Sequence, residues 1–456
     1  MGDIVAQLSD ALGAQHVLPW KGADRFGQVT AAIASEQPPS AIAQPPTTEA
    51  LGKVMALATE HHWRVLPTGQ GSKLSWGGLA EGIDIVVSTA QLNSIVEHAV
   101  GDFTVTVQPG VKVADLQSAL AEHRQFLAID PAFDAEATVG GVVATADTGS
   151  LRQRYGGLRD MLIGVQFVRY DGEVARAGGR VVKNVAGYDL MKLLTGAYGS
   201  LGILSELTFR LYPMQATSRS LVLSGPSAAL EAAIAEVRLS GLTPVALDVL
   251  SSQLLADLTD PQASANSQQP AHEQQTGTAH MGLVARFQGI ADGVQEQTER
   301  LEKIATTHAL SLSQLDNEAD QGFWHRSARI IRPDTLLCKV GLRPSGIPWL
   351  IELADMVAPG SQVRLYGSSG LGWIQLCLPE NAAEQGYKSL LESLEKLRSH
   401  CQKNAGFLTL LQAPKPIKQA MDVWGYSGNA LSVMGDIKQK FDPHRLLSPG
   451  RFVGDL

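Results

Sequence analysis

Three glycine-bearing stretches set the tightest constraint on this chain: PTGQGSKLSWGG (67–78), ATVGGVVAT (137–145) and GAYGSLGIL (196–204). Glycine serves where φ is positive or where another group must approach the backbone closely. The first stretch follows the apolar pair Val65-Leu66, and the approaching group is either a phosphate or a neighbouring strand. Neither common phosphate fingerprint fits. Gly69 and Gly71 begin a G-x-G-x-x-G pattern, but Leu74 takes the third glycine's place, and Lys73 follows too soon after Gly69 for a P-loop. Two readings of this loop alone stay open. One is a nest of amides from Thr68 to Lys73 converging on a pyrophosphate, with Ser72 adding a hydroxyl and Lys73 a charge; the other is a plain structural turn. The second stretch packs small residues around Gly140 and Gly141, which suits a flat ring or a phosphate pressed onto backbone. The third spaces Gly196, Gly199 and Gly202 by three, and a helix C-cap accounts for one of them.

The surrounding pattern is mixed helix and strand. Residues 47–63 read as a helix capped by Thr47 or Thr48, with Leu51, Val54, Met55 and Ala58 on one face. WRVLPTG and IDIVVST read as buried strands. DFTVTVQPG reads as a half-buried strand with Phe103, Val105 and Val107 inward and Thr104, Thr106 and Gln108 outward. VKVADLQSALAEHRQFL follows as a helix with Val113, Leu116 and Leu120 inward. MLIGVQFVRYDGEVARAG predicts a hairpin turning at Asp171-Gly172, and 187–213 a helix, a glycine turn and a strand. After Pro213, strands and helices alternate as in an α/β layer on an antiparallel sheet. The predicted organisation is a helical lead-in (1–46), a first domain (47–214), a second α/β domain (215–420) and a closing segment (421–456) that returns to the first domain. Residues 257–280, rich in Gln, Ala, Ser and His, predict a disordered loop.

The totals exclude several classes. At 456 residues and 44% hydrophobic, the chain is long and apolar enough for two or three folded domains. A net charge of −8 argues against nucleic acid as the main partner. Met1 to Pro19 carries Asp3 and Asp10 without a basic leader pattern, so no export signal is expected. No eighteen-residue apolar run predicts a transmembrane span, and membrane association is expected only peripherally, through partners. Cys338, Cys377 and Cys401 form no C-x-x-C, so no iron–sulfur cluster or cysteine-rich metal site is expected; free thiols in a cytoplasmic protein are.

Six pieces together resemble the FAD-binding superfamily of vanillyl-alcohol oxidase and p-cresol methylhydroxylase: PTGQGS (67–72), VQPGV (107–111), DPAFDAEATVGGVVAT (130–145), RYGGLRD (154–160), KNVAGYDLMKLLTGAYGSLGIL (183–204) and FDPHRLLSPGRF (441–452). They stand in the family's order over about 47–213 and the tail. The long fifth piece looks closest to the glycolate oxidase branch, and the short chain without cluster cysteines resembles its smaller FAD-binding subunit. The resemblance implies a two-subdomain, α+β FAD-binding domain of the p-cresol methylhydroxylase type. A C-terminal cap on an antiparallel sheet would complete the chain. It further implies FAD-dependent oxidation of glycolate to glyoxylate beside a larger flavoprotein subunit and an Fe–S subunit.

Carried onto this sequence, the resemblance assigns Pro67, Thr68, Gly69, Gln70, Gly71, Ser72 and Lys73 to the pyrophosphate. Thr138, Gly140, Gly141, Ala144 and Thr145 would line the flavin and phosphates, with Gly149, Tyr155 and Gly156 continuing that wall. Gly202 and Ile203 would meet the ring edge. The pattern departs where relatives carry a metal-binding histidine motif and a glutamate in Gly-Ser-Glu-Gly-Thr: no such motif occurs here, and Tyr198 takes the glutamate's place. No metal is expected, and no catalytic residue is assigned. Arg152, Arg154, Arg159, Arg329 and Arg332 are candidates for a substrate carboxylate, His325 for a base, and Lys183 and Asn184 for a polar pair near the flavin. Two alternatives stay open: an FAD-binding scaffold or electron relay within such a complex, and a stand-alone FAD dehydrogenase for another hydroxy acid. No histidine lies in 67–78 to carry a covalent link. The purified protein is therefore expected to be yellow, with all flavin released by acid or heat; flavin retained after denaturation would contradict this.

Overall fold

The computed structural model describes residues 3–20, 27–180, 187–259, 280–333, 335–378 and 384–456. Two compact units divide the chain. The first comprises Met1–Thr148, Gly156–Met214 and Lys418–Leu456, the second Gly149–Tyr155 and Gln215–Ile417.

The first unit is built on two sheets. One has strands β1 (Val17–Pro19), β2 (Ala41–Ala43), β3 (Val65–Thr68) and β4 (Ile85–Ser88) in the order β1-β2-β4-β3. β2 and β3 run parallel to β4, which requires a crossover, and the helix Thr48–Glu60 supplies it. Thr47 caps that helix by accepting from the Ala50 N–H at 3.1 Å, and Leu51, Val54, Met55 and Ala58 are buried on its inner face. Val17 to Pro19 and Ala41 to Ala43 belong to the segment read as a helical lead-in. They are short apolar strands of this sheet, too brief to show a period in the sequence.

The other sheet is antiparallel: β5 (Ile95–Ala99), β6 (Thr104–Val107), β8 (Leu162–Val168), β9 (Val174–Gly178) and β10 (Ile203–Arg210), in the order β5-β6-β10-β8-β9. A two-residue pair, β7 (Gln125–Phe126) with β11 (Tyr212–Pro213), lies apart from it. β8 and β9 form the predicted hairpin, with Gly172 at φ +86° in its turn. β6 corrects the half-buried reading, because all four of its residues are buried. As an interior strand it covers both faces, and the Thr106 and Thr208 hydroxyls satisfy each other at 3.0 Å.

The C-terminal segment is anchored in the first unit by one buried ion pair. Lys438, on the helix Leu431–Phe441, donates to Asp442 Oδ2 (2.6 Å) and to the carbonyls of Ser200 and Leu447 (2.8 Å each). Asp442 also accepts the N–H groups of Leu446 (2.9 Å) and Leu447 (2.8 Å). FDPHRLL is thus a turn organised by one carboxylate, and it fixes the tail to the 196–204 turn. Burial lowers the Lys438 pKa, and the Asp442 carboxylate opposes that shift.

The second unit is one antiparallel sheet of eight strands: β12 (Thr217–Pro226), β13 (Ala246–Ser251), β14 (His280–Gly289), β15 (Ser311–Asp316), β16 (Leu336–Gly341), β17 (Gln362–Tyr366), β18 (Leu371–Leu376) and β19 (Phe407–Gln412). Their order is β15-β12-β14-β13-β17-β18-β16-β19. The helices Ala291–Thr307 and Ile347–Val357 alternate with these strands along the chain, as the pattern after Pro213 predicts. The predicted loop at 257–280 begins too early: Leu254 and Leu258, four apart and buried, keep Ser252–Thr259 helical, and 260–279 lies outside the described residues.

Asp442→Ala is expected to leave the Lys438 ammonium buried without a carboxylate, at a cost of about 3–5 kcal/mol. Urea denaturation measures this, and an unchanged midpoint would remove Asp442 as the anchor.

Candidate functional site

A cavity in the first unit is lined by the loop Pro67–Leu74, by Thr138, Gly140, Gly141, Ala144 and Thr145, by the 194–204 turn and by Arg451. Every residue from 67 to 73 predicted for the site lies on it, as do those five and both Gly202 and Ile203. Gly149, Tyr155 and Gly156 do not line it. Gly149 and Tyr155 belong to the second unit, and Gly156 turns at φ +80° beside the Asp160 carboxylate.

The loop is rich in unused donors. The backbone N–H groups of Gly69, Gln70, Gly71, Ser72 and Lys73 meet no acceptor among the described residues. Successive free amides form a concavity for an anion. The helix Val139–Thr145 offers no such donors at its start. The N–H of Val139 goes to the Val111 carbonyl (2.9 Å), that of Gly140 to the Pro109 carbonyl (2.9 Å), and that of Gly141 to Thr138 Oγ1 (3.3 Å). This side of the cavity therefore presents small side chains rather than donors, which suits an apolar flat surface.

Most of the glycines admit protein, not ligand. A Cβ at Gly69 would stand 2.2 Å from Thr138 Oγ1, at Gly140 2.6 Å from Pro109 Cβ, and at Gly202 2.6 Å from Phe167 Cδ2. Gly71 differs: it holds φ +89° with only Gln28 and Leu74 near its missing side chain. Its role is conformational.

The charges differ from expectation. Lys73 does not point at the loop amides. Its ammonium donates to the Ala132 carbonyl at 2.7 Å and pairs with Asp147 at 3.3 Å. Burial lowers its pKa and the Asp147 carboxylate opposes this. The cation on the cavity wall that pairs with no carboxylate among the described residues is Arg451. Its Nη1 donates to the Leu74 carbonyl (2.9 Å) and its Nη2 to that of Trp76 (2.7 Å), while Nε is buried without a partner. Burial pushes this guanidinium down to about 10. Tyr198 lines the same cavity at φ +53°, its ring edge-on to Trp424 at 5.0 Å, and burial raises its phenol pKa. In the sequence, the one signal for Arg451 is its place directly after the Pro-Gly pair of SPGRF.

The candidate substrate residues are not assembled in this way. Arg152, Arg154, Arg159, His325, Arg329 and Arg332 are exposed, and Lys183 and Asn184 lie outside the described residues. The second unit holds two further arginine–aspartate clusters, with Arg364 buried and Arg286 partly buried. Arg364 Nε donates to Asp248 Oδ2 at 2.7 Å, and Arg286 Nη2 to Asp320 Oδ2 at 2.8 Å. Both guanidiniums stand over the Trp324 ring, that of Arg286 5.4 Å and that of Arg364 5.7 Å from its centroid. Their signal was a lone charge inside an apolar strand: VALDVL, LVARF and QVRLY. Among the described residues no group of three or more His, Cys, Asp or Glu is placed to hold a metal ion, and no helix is long and apolar enough to cross a membrane.

Comparison with known proteins agrees with this geometry. Residues 39–178 match the FAD binding domain family. The chain is 24% identical over 428 residues to the glycolate oxidase subunit GlcD of Bacillus subtilis, covering 91% of this chain and 88% of that one. It is 26% identical over 444 residues to the D-lactate dehydrogenase of Anaerostipes hadrus, covering 93% and 92%. Among solved structures, p-cresol methylhydroxylase with substrate bound superposes with a TM-score of 0.72 at 16% identity, over 98% of this chain and 95% of that one.

Gly71→Val is expected to lower the FAD content of the purified protein about tenfold or more, because a branched residue at this φ costs roughly 1–3 kcal/mol. Gly141→Val is expected to lower it too, since its Cβ would already meet Thr138 Oγ1 at 3.3 Å. Flavin absorbance per chain measures both, and normal occupancy would remove those positions from the site.

Proposed function

We propose that this chain is an FAD-binding oxidoreductase of the vanillyl-alcohol oxidase and p-cresol methylhydroxylase type, as its FAD binding domain match and its fold support, and that it oxidises a small 2-hydroxy acid, glycolate to glyoxylate. It would act as a subunit of a glycolate oxidase-type complex, with electrons ending on an iron–sulfur partner. The observation that carries the cofactor site is the run of free amides from Gly69 to Lys73 beside Arg451. Pro67 to Lys73 hold the pyrophosphate by backbone donation, and Arg451 supplies the charge first assigned to Lys73. Thr138, Gly140, Gly141, Ala144 and Thr145 present the small-residue surface on which the flavin packs, and Gly202 and Ile203 border its edge. Bound flavin supplies the two-electron acceptor that no side chain offers.

The substrate class rests on relatives named as a glycolate oxidase subunit and a D-lactate dehydrogenase, both acting on 2-hydroxy acids. The name of the first also supports a subunit role. A second reading has its own support. Arg364 and the partly buried Arg286 of the second unit are already matched by aspartates, so neither is free for a substrate carboxylate. On that reading the chain relays electrons and a partner oxidises the acid.

Anaerobic mixing of the purified holoprotein with glycolate or D-lactate separates these readings. Loss of the flavin's visible absorbance with glycolate is expected. Flavin that stays oxidised alone, but is reduced in a complex recovered from native extract, would replace oxidation by relay. Turnover of another acid with a dye acceptor and no partner would make the chain a stand-alone dehydrogenase.

A further inference from the structure

We propose that Lys418 and Arg451 form a clamp that shapes the cofactor loop from behind and leaves two positive charges for a bound pyrophosphate to offset; this rests on the reading above that the cavity holds FAD. The two cations take four successive carbonyls. Arg451 donates to those of Leu74 and Trp76. Lys418 donates to those of Ser75 and, at 2.7 Å, Gly77. With its carbonyls held by these cations at 74–77, the chain enters this stretch from a segment, 69–73, whose N–H groups all lack acceptors among the described residues. The clamp and the free donors are adjacent in the sequence, and Arg451 reaches both, because it lines the cavity while holding the carbonyls.

The charge pattern singles this pair out. Five lysines and arginines are buried among the described residues: Lys73, Arg364, Lys418, Lys438 and Arg451. Lys73, Arg364 and Lys438 each pair with an aspartate. Among the described residues Lys418 and Arg451 have carbonyls only, and burial lowers both pKa values, that of Lys418 well below its ordinary value with the neighbouring Arg451 charge adding to the fall. Carbonyl dipoles offset a buried charge only in part, and a buried cation without a counter-ion is strongly unfavourable. Arg451 Nε adds a buried donor with no acceptor. A dianion at the loop amides supplies both the charge and the acceptor. Lys418 does not line the cavity, so it acts as a positioning residue, through the loop, while Arg451 acts through the loop and the anion together.

Three measurements on the full chain test this. Flavin-stripped wild-type protein is melted with inorganic pyrophosphate and with sulfate at matched ionic strength; a rise in melting temperature with pyrophosphate beyond that with sulfate is expected. No such rise would overturn the charge argument. Lys418→Met is expected to bind FAD about tenfold or more weakly, the loss of a charged hydrogen-bond pair, with secondary structure retained by circular dichroism. Lys418→Arg, which keeps the cation, is expected to restore binding. FAD affinity in Lys418→Met equal to wild type would overturn the clamp while leaving the FAD reading intact. Wild-type protein that takes up no FAD would overturn the reading itself. Should Lys418→Met fail to fold, the pyrophosphate arm on wild type and the affinity of Lys418→Arg still decide, and loss of binding in Lys418→Arg would count against the clamp.

Discussion

The cavity exists because four segments distant in the sequence meet where a side chain is missing. Gly69 receives the Thr138 hydroxyl, Gly140 receives Pro109, Gly199 lies 3.2 Å from Pro67 at its missing Cβ, and Gly78 faces the Gly450 carbonyl at 2.5 Å. Each is a protein–protein contact that a methyl group would break or displace. Together they bring the 67–78 loop, the 138–145 helix, the 196–204 turn and the C-terminal turn around one space. The cofactor surface is the remainder, formed by what these contacts leave uncovered. This inverts the simplest account of a glycine-rich site, in which each glycine makes room for the ligand. Here only Gly71 keeps a conformation that calls for glycine while its side-chain position stays largely open.

Much of this was legible because it is local. Helix and strand periods around 48–60, 113–121 and 162–178 follow from side-chain alternation and capping that a few neighbouring residues determine. The site loops were legible as well, since a cluster of glycine and small residues is uncommon inside an apolar segment. What stayed hidden depends on partners far along the chain. Lys73 looked like a phosphate ligand beside its glycines, but Asp147, seventy-four positions on, takes its charge. Arg451 looked like part of a tail, and only the fold carries it to the carbonyls of Leu74 and Trp76. Thr104 and Thr106 looked solvent-facing because alternation implies one wet face. The sheet places them in an interior strand, where a hydroxyl pair replaces water. Short strands such as Ala41–Ala43 carry too few residues to show any period.

The two units pair buried charges by the same rule with one exception, in the first unit, and that exception bears on function. In the second unit, Asp248 takes Arg364 and Ser150, and Asp320 takes Arg286, Ser218, Ser220 and Trp324. These clusters are neutral and satisfied, as stable buried networks require. Such a network fixes the strands it joins and leaves little capacity for a ligand. In the first unit, Lys438 with Asp442 and Lys73 with Asp147 follow the same rule at the structural anchors. Among the described residues the rule breaks only beneath the 74–77 carbonyls, where two cations are held by dipoles alone. A fold that pairs its buried charges elsewhere gains nothing in stability from leaving these two unmatched. The imbalance makes physical sense when the missing negative charge arrives with the ligand, so the binding energy of an anionic cofactor and the ordering of its loop become one quantity.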